Sequence, residues 1–91
     1  MIKEVNQFCW SGRPQLGLIE VSTSDGNHYF IFRGKVVASL GVDGVKVLDE
    51  WDADRQTAKW VARFLNCKSA KEVREHIESG RYRLVFDLVI P

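Results

Sequence analysis

Proline is scarce in this chain, with only Pro14 and Pro91, and no stretch is rich in serine or glycine. Nothing therefore reads as a linker or a low-complexity tail, and residues 1–91 are expected to form a single domain. Long apolar runs are also missing. The longest, "VVASLGV" and "LVFDLVI", are far shorter than the roughly 20 residues a membrane-crossing helix needs. No signal-like apolar stretch follows Lys3, so the expectation is a cytoplasmic protein with no membrane contact. There Cys9 and Cys67 are reduced thiols, and with Phe8, Trp10 and Leu65 beside them both are expected to be buried and inert. Charge of one sign is absent too. The net +1 exerts no global pull on nucleic acid or anionic lipid, so electrostatic recognition has to come from local clustering.

Several chemical signatures are missing as well. No glycine-rich phosphate loop, dinucleotide fingerprint or nucleophile elbow occurs, which leaves nucleotide cofactors and serine hydrolysis without support. The soft-ligand residues Cys9, His28, Cys67 and His76 are separated by 18, 38 and 8 residues, spacings that neither a short loop nor one helical turn imposes. A Cys67 and His76 pair would be held apart by about 10 Å or more of mostly helical chain. His28 and His76 have no carboxylate or serine partner evident nearby in sequence, so neither is expected to be catalytic. Asp49, Glu50, Asp52 and Asp54 crowd together without the spacing of a calcium loop, and helix capping accounts for them. The expectation is a chain that is not an enzyme and has no metal and no cofactor.

The apolar content of 45% and charged content of 27% suit a packed domain. "LGLIEVST", "HYFIF", "KVVASL" and "VKVL" are separated by the turn signals "SDGN", Arg33-Gly34 and "GVDG", which predicts an antiparallel meander of about four strands. The period changes after Trp51. Asp52 is placed to cap a helix running to Asn66, and Ser69 with Glu72 has capping-box spacing for a second helix ending near Gly80. In "RYRLVFDLVI", Tyr82, Leu84, Phe86, Leu88 and Ile90 alternate along one strand. The predicted fold is α+β: the meander, then a helical hairpin packed on one face, then a C-terminal strand returning to the sheet.

Two surfaces carry the functional expectation. On the second helix, Lys71 with Glu75 and Arg74 with Glu78 are spaced to neutralise one another. On the first, Arg55, Lys59 and Arg63 recur every fourth residue along about 12 Å with no acid among them. The strands "HYFIF" and "RLVFDLVI" are apolar on both sides, which nominates Phe30, Phe32, Val85 and Val89 as a sheet surface that the N-terminal segment with Phe8 and Trp10, or else a second copy, covers. The reading is a small non-catalytic interaction or regulatory module that binds a protein partner or itself, as a homodimer through its sheet. The alternative is nucleic-acid binding by the basic helix face.

Overall fold

The computed structural model describes residues 2–10 and 12–90. The chain order is β1 (Ile2–Trp10), β2 (Arg13–Thr23), β3 (His28–Phe32), β4 (Lys35–Gly41), β5 (Gly44–Leu48), α1 (Arg55–Phe64), α2 (Ala70–Glu78) and β6 (Tyr82–Val85). The six strands form one sheet in sequence order. The first five pair antiparallel, each with the next. At β3–β4 both turn residues, Arg33 (φ 54°) and Gly34 (φ 77°), take the left-handed conformation that lets a two-residue turn follow the strand twist. β6 returns only after the two helices have crossed the sheet, so it pairs parallel to β5.

Register decides the two faces. Leu18 opposes Phe32, Phe30 opposes Ala38, and Ala38 opposes Val47, so these residues point to one side. A bulge opposite Phe30 and Ile31 adds Val37 to the same layer. The helices cover this side with Ala58, Val61 and Ala62 from α1 and Val73 from α2, and Trp51 closes one end. Phe30 is fully buried, stacked on Phe64 at 4.6 Å and met edge-on by Phe8 at 5.2 Å. Offset and edge-to-face pairs of this kind add to the burial of the rings themselves.

The predicted α+β architecture is present, with several corrections. The N-terminal segment is a full edge strand, and its Phe8 joins the helix side rather than the open face. The side chain of Trp10 lies outside the described residues. The alternating C-terminal run does not stay in the sheet, because β6 ends at Val85 and Phe86 is 82% exposed. Leu88 and Val89 instead reach the second face, where they line a shallow depression with Tyr29, Ser39 and Lys46. There Val21, Tyr29 and Ser39 are buried.

The caps differ as well. Asp54, not Asp52, caps α1, accepting from the Thr57 backbone N–H at 2.8 Å and the Thr57 hydroxyl at 3.1 Å. The earlier residue pairs with Arg74 instead. Ser69 stands at the N-cap of α2 without a side-chain cap, while Glu72 accepts from the backbone N–H of Lys68, one residue further back than a capping box requires.

Truncating Phe30 to Ala removes the ring shared by Phe8 and Phe64 and should cost about 3–5 kcal/mol, read as a lower urea midpoint. A Val42→Ala control at an 83% exposed turn should leave the midpoint nearly unchanged. The Thr57 backbone hydrogen bond, joined by its hydroxyl and Arg33, holds the Asp54 carboxyl below the usual carboxylate range. The cap's stability is thus present above the unfolded carboxylate pKa and is lost as pH falls through the lower folded value. Asp54→Asn, which still caps, should flatten that acid limb in thermal melts recorded below pH 5 or so.

Candidate functional site

The surface around α1 is built by a division of charges. The acids before the helix are answered by cations elsewhere in the fold: Asp54 by Arg33 (3.6 Å), Glu50 by Lys35 (3.0 Å) and Asp52 by Arg74 (3.4 Å). Arg74 also lies over the Trp51 ring at 5.5 Å. The i,i+4 partner expected for it, Glu78, is not among the described ion pairs, and neither is a Lys71–Glu75 bridge. Tertiary packing brought Asp52 into reach and redirected the arginine.

Two cations of the row on α1 are left without a counter-charge by this division. Arg55 and Lys59 are exposed and have no ion-pair partner among the described residues, and Arg63 is half-buried. Lys59 Nζ sits 5.0 Å and the Arg63 guanidinium 4.8 Å from the centre of the Trp60 ring, cation–π contacts that hold both head groups near one place. These three residues and Lys68 border a groove between α1 and α2 whose floor is Ala58, Ala62, Ala70 and Cys67. Its volume is about 280 Å³, below the usual size of a site that swallows a small ligand and suited to side chains presented by a segment. No acid lines it. Lys68 follows the helix, so the spacing rule that found the other three cations does not reach it.

A second group forms behind the groove. α1 ends in a left-handed turn at Asn66 (φ 59°), with the Asn66 N–H on the Arg63 carbonyl (3.1 Å) and the Cys67 N–H on the Ala62 carbonyl (2.7 Å). That turn points Cys67 inward. Glu72 and His76 lie one turn apart on α2, and the ligand atoms of Cys67, Glu72 and His76 all fall within 4.8 Å of one another. The separation of about 10 Å expected for Cys67 and His76 is thus wrong, because the chain reverses between the helices. Tyr82 of β6 closes the cluster, with its hydroxyl 3.4 Å from Cys67 Sγ and its ring centre 4.8 Å from that of His76. Burial and the neighbouring Cys67 keep the Tyr82 hydroxyl protonated far above the usual tyrosine range. The spacing Glu72-x-x-x-His76 was the signal available in the sequence.

His28 also has partners that sequence proximity hid. Its Nδ1 lies 3.0 Å from Ser22 Oγ and 3.4 Å from Glu20 Oε2, through the β2–β3 register. A serine, histidine and carboxylate relay needs its two partners on opposite ring nitrogens, and here both meet the same one. Among the sheet residues nominated as an interface, Phe30 and Phe32 are core residues facing the helices, 0% and 8% exposed. "HYFIF" turns Tyr29 and Ile31 to the second face instead. Val85 is half-buried beside Leu48, and Val89 is exposed beyond the end of β6. Among the described residues no helix is long and apolar enough to cross a membrane.

The fold and its grooves define a small α+β domain with a basic inter-helix groove. No family model, curated protein or solved structure matches the chain.

The two thiols differ in environment, contrary to the expectation that both are buried. Cys9 is exposed on β1 and Cys67 is buried. In the native protein a thiol reagent should modify Cys9 rapidly and Cys67 far more slowly, as peptide mapping of the labelled sites will show. Equal rates for the two would contradict this placement.

Proposed function

We propose that this protein is a non-catalytic interaction module whose working surface is the α1–α2 groove, and that it takes an acidic segment of a partner protein. One observation carries the reading: Arg55, Lys59, Arg63 and Lys68 stand around an alanine floor with no acid in the lining. Such a site offers cations to carboxylates at its rim and apolar contact to small side chains between them. This pattern gives electrostatic steering and register. The i,i+4 repulsion along the row is a few tenths of a kcal/mol per pair, small enough for a fold to carry.

Nucleic acid is the alternative partner, since the row spans about 12 Å, the reach of two or three phosphates. The floor argues for the protein reading. A single-strand binder uses open aromatic faces, whereas the half-buried Trp60 ring is already covered by Lys59 and Arg63. Association of two copies through the sheet has a reduced apolar surface to work with, namely the β1–β2 corner where Ile2, Val5 and Ile19 are 51%, 58% and 37% exposed.

A labelled peptide of alternating glutamate and leucine, titrated at low salt by fluorescence anisotropy, tests the proposal against a labelled DNA duplex. The peptide should bind more tightly, and the double change of the exposed Arg55 and Lys59 to Glu should weaken it by about tenfold or more while the thermal midpoint stays close to native. Duplex binding with a salt slope near −3, about −0.9 for each neutralised phosphate, together with no peptide binding, would replace the protein reading with the nucleic-acid one.

A further inference from the structure

We infer that Cys67, Glu72 and His76 form a mononuclear zinc site that clasps the α1–α2 connection. Three donor types converge there with their ligand atoms within 4.8 Å of one another. Around a tetrahedral zinc, bonds of about 2.0–2.3 Å place such atoms roughly 3–4 Å apart, so closing the site requires each side chain to move by less than the length of a bond. The donor set selects the metal. A thiolate and an imidazole favour a borderline-soft ion such as zinc over magnesium or calcium, which take all-oxygen shells.

The surroundings supply the support such ligands require. One carboxylate oxygen of Glu72, Oε2, accepts the Lys68 backbone N–H at 2.9 Å, which orients the group and leaves the other oxygen for a metal. Tyr82 stands with its hydroxyl 3.4 Å from Cys67 Sγ, positioned to donate to a thiolate, and its ring backs His76. Glu72 and His76 also line an open depression with Lys68, Ser69, Lys71 and Glu75, and this gives the ion a route in and a fourth coordination position facing solvent. Binding releases the thiol proton to solvent and forms the metal–sulfur, metal–nitrogen and metal–oxygen bonds without any redox change. The site adjoins the groove, sharing Cys67 with its floor and Lys68 with its rim, but none of its three ligands is a groove cation, so metal binding is read without any acidic partner.

The test is a titration of the reduced full-length protein with Co(II), followed by its displacement with Zn(II). One ion should bind per chain with micromolar or tighter affinity and with a thiolate-to-cobalt charge-transfer band. Cys67→Ser should abolish that band, His76→Ala and Glu72→Gln should each weaken binding by about tenfold or more, and Cys9→Ser should change nothing. The wild-type protein alone provides a readout independent of folding in the variants: on adding Zn(II), the imidazole resonances of His76 should shift while those of His28 stay in place. Absence of one-to-one binding in the micromolar range, binding that survives Cys67→Ser and His76→Ala together, or binding that requires Cys9 would each overturn the zinc site.

Discussion

The tight exit of α1 is the joint on which both the inter-helix groove and the Cys67 cluster depend. Because Asn66 adopts a left-handed conformation, the Cys67 N–H reaches the Ala62 carbonyl at 2.7 Å and the chain reverses within three residues. Asparagine accepts this backbone better than most residues with a side chain. The reversal lays α2 beside α1 and creates the groove between them, and it also swings the thiol inward toward Glu72, His76 and Tyr82. A helix that frayed at residue 64 would lose the alanine floor and the cluster together.

Electrostatics around α1 follow from where the acids go. Asp54 is taken by the helix cap and Arg33, Glu50 by Lys35 and Asp52 by Arg74, so three acids of the stretch before α1 are paired away from the basic row. At distances of 3–4 Å near the surface these pairs contribute little stability individually. Their consequence for the surface is that none of these acids pairs with Arg55, Lys59 or Lys68 at the groove. Trp60 adds a second constraint by gathering Lys59 and Arg63 over one ring.

The sheet solves its two-sided apolar pattern asymmetrically. One face receives the helices and the rings of Phe8, Phe30 and Phe64, and on the other Leu88 and Val89 border a shallow depression with Tyr29 and Ser39. This cover is partial, since Val89 is 68% exposed. It leaves the β1–β2 corner, Ile2, Val5 and Ile19, more open than the centre.

The sequence by itself determined the architecture's parts, since those depend on local chemistry. Turn residues with positive φ, the apolar runs between them that became β2 to β5, helical periodicity through residues 55–64 and a glycine after α2 are each legible within a few positions. The row Arg55, Lys59 and Arg63 was legible for the same reason, because a helix converts spacing into direction. Tertiary structure decided everything that joins distant segments. Register sent Phe30 and Phe32 to the core, paired His28 with Glu20 and Ser22, and placed Phe8 under α1. Competition for partners moved the cap to Asp54 and Arg74 to Asp52, because a residue distant in sequence was nearer in space. Chain reversal joined Cys67 to His76. Distance along a helix is additive and can be read from spacing, but the direction the chain takes after a turn depends on what the second helix packs against, and here that is the Val73 side of the core and Tyr82 of the final strand.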